Sequence, residues 1–261
     1  MTYLRPILAT TLSIAGLLHA TDAPSVALPS IAVPRLKVAP QVTADSQDPA
    51  WGSAALIPAL GLSQRTPPQT HPAKATTVQL GWDPTSLYVR FTCEDDEVYP
   101  ANQGRDAELY RGDAVEVFLD VVGDGAAVIE MQFSPSGDAF DQMLLLTKPL
   151  RSNPDGTMQG ELLDRDLWAD RSWNMEGLRW AAKRSPTGWT VDAAIPATAL
   201  RRLGIKAWKP MSLRGNLLRY EWWPLPSGTK HELLAMNWST VRYGCPHISP
   251  ARMGMMQLVE Q

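Results

Sequence analysis

The chain has 261 residues, a formal net charge of −3 and 44% hydrophobic residues, the composition of a globular protein. That composition and charge exclude both a disordered tail and a nucleic-acid binder driven by positive charge, and the 24 basic residues form no run longer than a pair such as Arg201-Arg202. Two cysteines and four histidines lack the spacing of a structural zinc site.

Arg5 makes a short positive n-region, residues 7–18 are apolar apart from Thr and Ser, and small residues allow cleavage after Ala20 or Ala23. This predicts a signal peptide over 1–23 and a secreted or periplasmic protein, with an uncleaved N-terminal anchor as the competing reading. No later stretch is apolar enough, over enough residues, to span a bilayer. Residues 24–37, rich in Pro, Ala and Ser, read as a leader or linker, and 38–261 as the folded domain.

At Asp48-Pro49-Ala50-Trp51 an acidic turn ends in an aromatic plug for the core. Residues 76–82 and 87–93 alternate around the turn Asp83-Pro84-Thr85-Ser86, a hairpin pattern. The acids Glu94-Asp95-Asp96-Glu97 that follow are either solvated or supply oxygen ligands, Asp95 and Asp96 foremost, to a calcium ion. In an oxidising compartment Cys93 and Cys245 either pair or remain two buried thiols, and the sequence leaves both open.

Residues 105–120 run from a charged loop through Gly112 into a clean period-two strand. Val115, Val117 and Leu119 share one face; Ala114, Glu116, Phe118 and Asp120 share the other. Tyr110, Asp113 and Glu116 fall close together. An aromatic plate beside a carboxylate suits a sugar, the ring covering C–H groups while the acid accepts from hydroxyls. A surface tyrosine beside a solvated acid is the plainer alternative.

Turns at Gly123-Asp124-Gly125 and Ser136-Gly137-Asp138 separate strands over 127–134 and 140–146, a meander. Residues 150–176 read as a long excursion, 178–183 and 189–195 as a hairpin, and 197–203 as one short helix opened by Pro196 and closed by Gly204. Strands over 211–220, 233–238 and 253–259 complete an all-β, antiparallel β-sandwich with long loops. Glu221-Trp222-Trp223-Pro224 reads as an aromatic loop tip.

Taken together, several pieces resemble the family 9 carbohydrate-binding modules and the wider group of DOMON-like sandwiches. They are Asp48-Pro49-Ala50-Trp51, Gly81-Trp82-Asp83 with Leu87-Tyr88-Val89, Arg105-Asp106, and Gly112-Asp113-Ala114-Val115-Glu116-Val117-Phe118-Leu119-Asp120. Further on are Gln132-Phe133-Ser134-Pro135, Gly188-Trp189, Ala194-Ile195-Pro196, Arg214-Gly215-Asn216 and Trp238-Ser239. The resemblance implies a non-catalytic sugar-binding sandwich, often working beside a glycoside hydrolase in polysaccharide breakdown and carrying structural calcium. It places the first stacking aromatic at Tyr110 and the acid at Glu116, with Asn216 or Tyr243 as a further candidate of the site. The second aromatic falls in the loop holding Tyr243 and His247. A Tyr–His pair replaces the family's two tryptophans and offers less stacking surface.

Other functions are weaker. A glycosidase needs two carboxylates about 5 to 10 Å apart across a bond, and Glu116 with Glu130 is the nearest arrangement. A DOMON-like domain binding haem non-covalently through His231 or His247 and one of ten methionines is a second reading, since no Cys-x-x-Cys-His motif is present. A protein-interaction sandwich using some of ten tryptophans is a third.

Overall fold

The structure is a computed structural model and is described for residues 27–63, 72–99, 102–147, 151–152, 158–159, 167–224, 231–240, 247 and 250–260. In chain order the strands are β1 (Ser30–Pro34), β2 (Ala55–Ile57), β3 (Gly61–Leu62), β4 (Thr76–Trp82), β5 (Ser86–Glu94) and β6 (Ala114–Asp120). There follow β7 (Ala127–Phe133), β8 (Ala139–Leu146), β9 (Arg151–Ser152), β10 (Met158–Gln159), β11 (Leu167–Asp170) and β12 (Arg179–Ser185). The last are β13 (Gly188–Pro196), β14 (Met211–Pro224), β15 (His231–Asn237) and β16 (Gly254–Val259). Helical structure among the described residues is confined to short 3₁₀ segments, the longest being Ala197–Leu203, which Gly204 closes at φ 84°.

Two sheets face each other, as expected. The larger runs β1-β16-β14-β6-β7-β8-β11, with β15 and then β3 attached to β14; the smaller runs β12-β13-β5-β4-β2. Strand β14 carries the larger sheet. Along one edge Met211–Gly215 pairs with β16 and Leu218–Pro224 with β15, while its other edge meets β6. Among the described strands every pairing is antiparallel except β1 with β16.

The core lies between the sheets and comes from the alternation read in the sequence. Leu87, Val89, Phe91 and Cys93 of β5 meet Val115, Val117 and Leu119 of β6 there, all essentially inaccessible. Trp82, Trp189 and Trp208 are its largest members and donate their indole N–H groups to Val33 O, Asp95 Oδ2 and Ile195 O at 3.0, 3.1 and 3.0 Å. Burying such a ring gains roughly 25 cal/mol per Å² of apolar area, provided its polar N–H finds a partner.

Three features depart from expectation. Strand β1 lies inside the segment read as a leader, because fully buried Val33 docks on the core and Leu36 N donates to Trp82 O at 2.7 Å. Trp222 and Trp223 form no loop tip; both sit within β14 and are half-buried. Of the acid run, Asp95 turns inward. It continues the parity of Phe91 and Cys93 and receives Trp189 Nε1 and, at 3.3 Å, Arg219 Nη2.

Candidate functional site

The outer face of the larger sheet is polar where β6, β7 and β8 meet. Register sets Asn216, Phe118, Glu130 and Gln142 in one row, and Leu218, Glu116, Gln132 and Phe140 in the next. Their neighbours along each strand point into the core, so the period of two alone fixes which side chains reach this face.

Glu130 is the hub. Its carboxylate accepts from Gln132 Nε2 at 2.6 Å, Gln142 Nε2 at 2.5 Å and His247 Nε2 at 2.8 Å. Burial by itself would raise this acid. The positive charge of His247, with hydrogen bonds from His247, Gln142 and Gln132, outweighs burial and holds it below the ordinary carboxylate range. The imidazole also meets the Phe118 ring edge-on, with centroids 5.4 Å apart.

Tyr110 approaches from the 3₁₀ turn Leu109–Arg111 that leads into β6. Leu109 plugs that turn into a small cluster with Ala114 and Phe140, which leaves the next side chain half-exposed. The backbone is pinned at both poles: Tyr110 N donates to Gln132 Oε1 at 3.2 Å, and Tyr110 O accepts from Trp222 Nε1 at 3.0 Å. The Arg111 guanidinium lies 5.3 Å from the ring centroid and is itself tied to Glu108 at 2.5 Å.

Between these parts lies a cavity of about 50 Å³ lined by Tyr110, Glu130, Gln132, Phe140, Gln142 and His247, with the more exposed Glu108 and Arg171. It has room for a few waters or a short polar arm; pockets that engulf a whole ligand run to roughly 300 Å³ and more.

The structure thus brings two of the expected residues together, Tyr110 and His247. The others take different places. Glu116 is fully buried, in register between Leu218 and Gln132, and does not line the cavity. Asp113 sets the loop: its two oxygens accept from Tyr99 N at 2.5 Å and Trp222 N at 2.8 Å, while Arg105 and Arg111 pair elsewhere. Burial, only partly offset by those N–H donors, pushes Asp113 up to about 7. Asn216 spends its amide on the chain after β15, donating to Ser239 O and accepting from Ser239 N, both at 2.9 Å. Tyr243 and Cys245 lie outside the described residues; Cys93 is a buried, free thiol, raised to about 12 by burial.

The lining residues missed from sequence are Glu108, Gln132, Phe140, Gln142 and Arg171, while the sequence singles out Glu130 only as a carboxylate near Glu116. Alternation in 127–133 and 140–146 carried the signal of Glu130, Gln132, Phe140 and Gln142, but only the pairing of β7 with β6 and β8 places them around Tyr110; Glu108 and Arg171 come from the loops before β6 and after β11.

Asp95 and Asp96 do not fit a calcium ion. Asp95 faces Arg219 and Trp189 inside, whereas Asp96 faces Lys74 outside. Among the described residues no group of three or more His, Cys, Asp or Glu side chains is placed to hold a metal. For haem, His231 stacks on Tyr99 with centroids 3.8 Å apart, His247 bonds Glu130, and Met253 and Met256 pack in apolar clusters.

A sequence profile described as "Carbohydrate family 9 binding domain-like" matches residues 44–214. Among curated proteins no match is found. A putative carbohydrate-binding protein from Bacteroides uniformis superposes with a TM-score of 0.64 at 12% identity, covering 89% of this chain and 100% of that one. A carbohydrate binding module family 9 from Caldicellulosiruptor kristjanssonii, in complex with cellotriose, gives 0.57 at 16% identity over 89% of this chain and 94% of that one. The same module with glucose gives 0.57 at 17% identity, over 89% and 96%. These structural likenesses establish the fold.

Proposed function

The chain belongs to the carbohydrate family 9 binding domain-like family, and from that premise we propose that it is a non-catalytic sugar-binding sandwich whose ligand seats on Tyr110 above the Glu130 cavity. One observation carries the reading: an aromatic half-exposed on a turn stands beside a floor of carboxylate, amides and imidazole, on one face of one sheet. The ring offers a flat apolar surface for sugar C–H groups, and the floor offers directed polar atoms, the two halves of carbohydrate recognition.

The arrangement is built to hold, not to react. Among the described residues the cavity is lined by two carboxylates: three donors fasten Glu130 and Arg111 fastens Glu108, and both are held below the ordinary carboxylate range, which leaves them poor general acids. Cleaving a glycosidic bond needs one carboxyl of the pair protonated, and neither of these is held so. Glu116, the nearest in register, is buried outside the cavity.

We further propose that the protein is exported and serves polysaccharide breakdown beside a glycoside hydrolase. The Arg5 and 7–18 pattern supports export, and the family resemblance supports the role. The test is calorimetric titration of the mature protein with mono- and oligosaccharides, alongside the Tyr110→Ala variant. Saturable binding lost in the variant is the expected result. Folded protein that is silent across the whole panel would overturn the reading.

A further inference from the structure

We propose that Gln142 reads one hydroxyl of the bound sugar: a single hydroxyl-bearing arm enters the cavity and donates to Gln142 Oε1, while the sugar ring stays outside against Tyr110. The inference rests on the sugar-binding reading above and deepens it to a specificity-determining residue.

The argument is an inventory of donors and acceptors. An ionised carboxylate only accepts, so both neighbouring glutamines must turn their NH₂ ends to Glu130. That fixes their oxygens as well. Gln132 Oε1 receives the Tyr110 backbone N–H, so Gln132 is satisfied at both ends. Gln142 Oε1 is buried, and among the described residues no donor reaches it. The floor therefore carries one buried glutamine oxygen without a partner among the described residues, and that atom is an acceptor.

An orphaned buried acceptor is costly, so this oxygen favours a ligand that brings a proton to it. A hydroxyl does so. A carboxylate brings no proton and meets the negative charge of Glu130. An ammonium brings protons, but both lining carboxylates are already engaged, Glu130 by the imidazole and two amides and Glu108 by Arg111, and the Arg171 guanidinium stands beside them. Size makes a second selection, since about 50 Å³ admits a one- or two-atom arm and not a six-membered ring. Hydroxyl chemistry and arm size thus agree.

The test uses methyl β-D-glucopyranoside and its 2-, 3-, 4- and 6-deoxy analogues, titrated into the full mature chain and into Gln142→Met. In the wild-type protein one deoxy analogue should bind about 10- to 100-fold more weakly than the parent, the worth of one orphaned acceptor, with the rest within a few-fold. In Gln142→Met the parent should fall to the level of that analogue, and the gap between the two should close. An even loss across all deoxy positions, or a gap that persists in Gln142→Met, overturns the inference while leaving sugar binding intact. Absence of binding by every glycoside and every sugar of the wider panel overturns both. The comparison of analogues on wild-type protein needs no substitution, so it stands even where Gln142→Met folds poorly.

Discussion

His247 Nε2 lies 2.8 Å from Glu130 Oε2, joining positions 117 apart in sequence across the floor of the proposed site. The pair settles the protonation of its surroundings: Glu130 ionised, the imidazole donating, and two glutamine amides oriented by the charge. Removing the charge therefore removes an organising centre as well as a single bond.

Glu130→Gln is expected to lose sugar binding and about 1–3 kcal/mol of stability, since a buried cluster of donors loses its acceptor. The sign of the pH dependence follows from the depressed acid. Its stabilising contribution is complete above the ordinary value of 4.5 and drains away as pH falls through the lower folded value. Urea unfolding of wild type and Glu130→Gln at pH 7 and pH 3 checks this: the stability difference should shrink at the acid end.

Asp113 carries the opposite sign. Its folded value, raised to about 7 from 3.8 by burial, means that the fold prefers the protonated acid. Its contribution is complete below 3.8 and is lost as pH rises toward 7, by at most about 1.4 kcal/mol per pH unit. Asp113→Asn cannot titrate, so its unfolding free energy should vary less than that of wild type between pH 4 and 7. Equal pH slopes in the two proteins would contradict the raised value.

Tyr110→Ala separates stacking from folding. The ring is half-exposed, and its neighbour Leu109 is the side chain that plugs the turn. The contacts that pin the loop, to Gln132 and Trp222, come from the Tyr110 backbone and survive truncation. Affinity for sugar should fall about 30-fold or more, the cost of a hot-spot aromatic of roughly 2 kcal/mol, while the melting temperature moves by a few degrees at most. A drop in stability as large as the drop in affinity would mark the ring as packing.

Much of this was legible in the chain. The alternation in 87–93 and 115–119 gave the two inner faces, and the turns gave the meander from β6 to β8. The same parity also sends Asp95 inward to Arg219, although a run of four acids reads as a solvated loop when taken by itself. What a single strand does not reveal is its neighbour. Glu116 and Glu130 sit on the same outer face, and only the approach of Tyr110 and His247 makes Glu130, not Glu116, the buried acid that lines the cavity. The parallel seat of β1 beside β16 is likewise invisible locally, because its partners lie more than 200 residues away.

The smaller sheet supplies a control far from the sugar site. On its outer face Arg90 Nε and Nη2 grip Asp192 Oδ1 and Oδ2 at 2.6 and 2.8 Å, with both side chains almost wholly buried. Asp192 also holds Ala44 N at 2.9 Å, and Trp51 covers the guanidinium at 4.6 Å. Asp192→Ala leaves the buried cation without its partner, so it should cost about 3–5 kcal/mol, more than Glu130→Gln, whose imidazole partner is partly exposed. Neither Arg90 nor Asp192 lines the cavity, so in Asp192→Ala sugar affinity measured well below the melting temperature should stay within about twofold of wild type. A large loss of affinity in still-folded Asp192→Ala protein would move the site to the smaller sheet; retained affinity at lowered stability keeps it on the face of β6, β7 and β8.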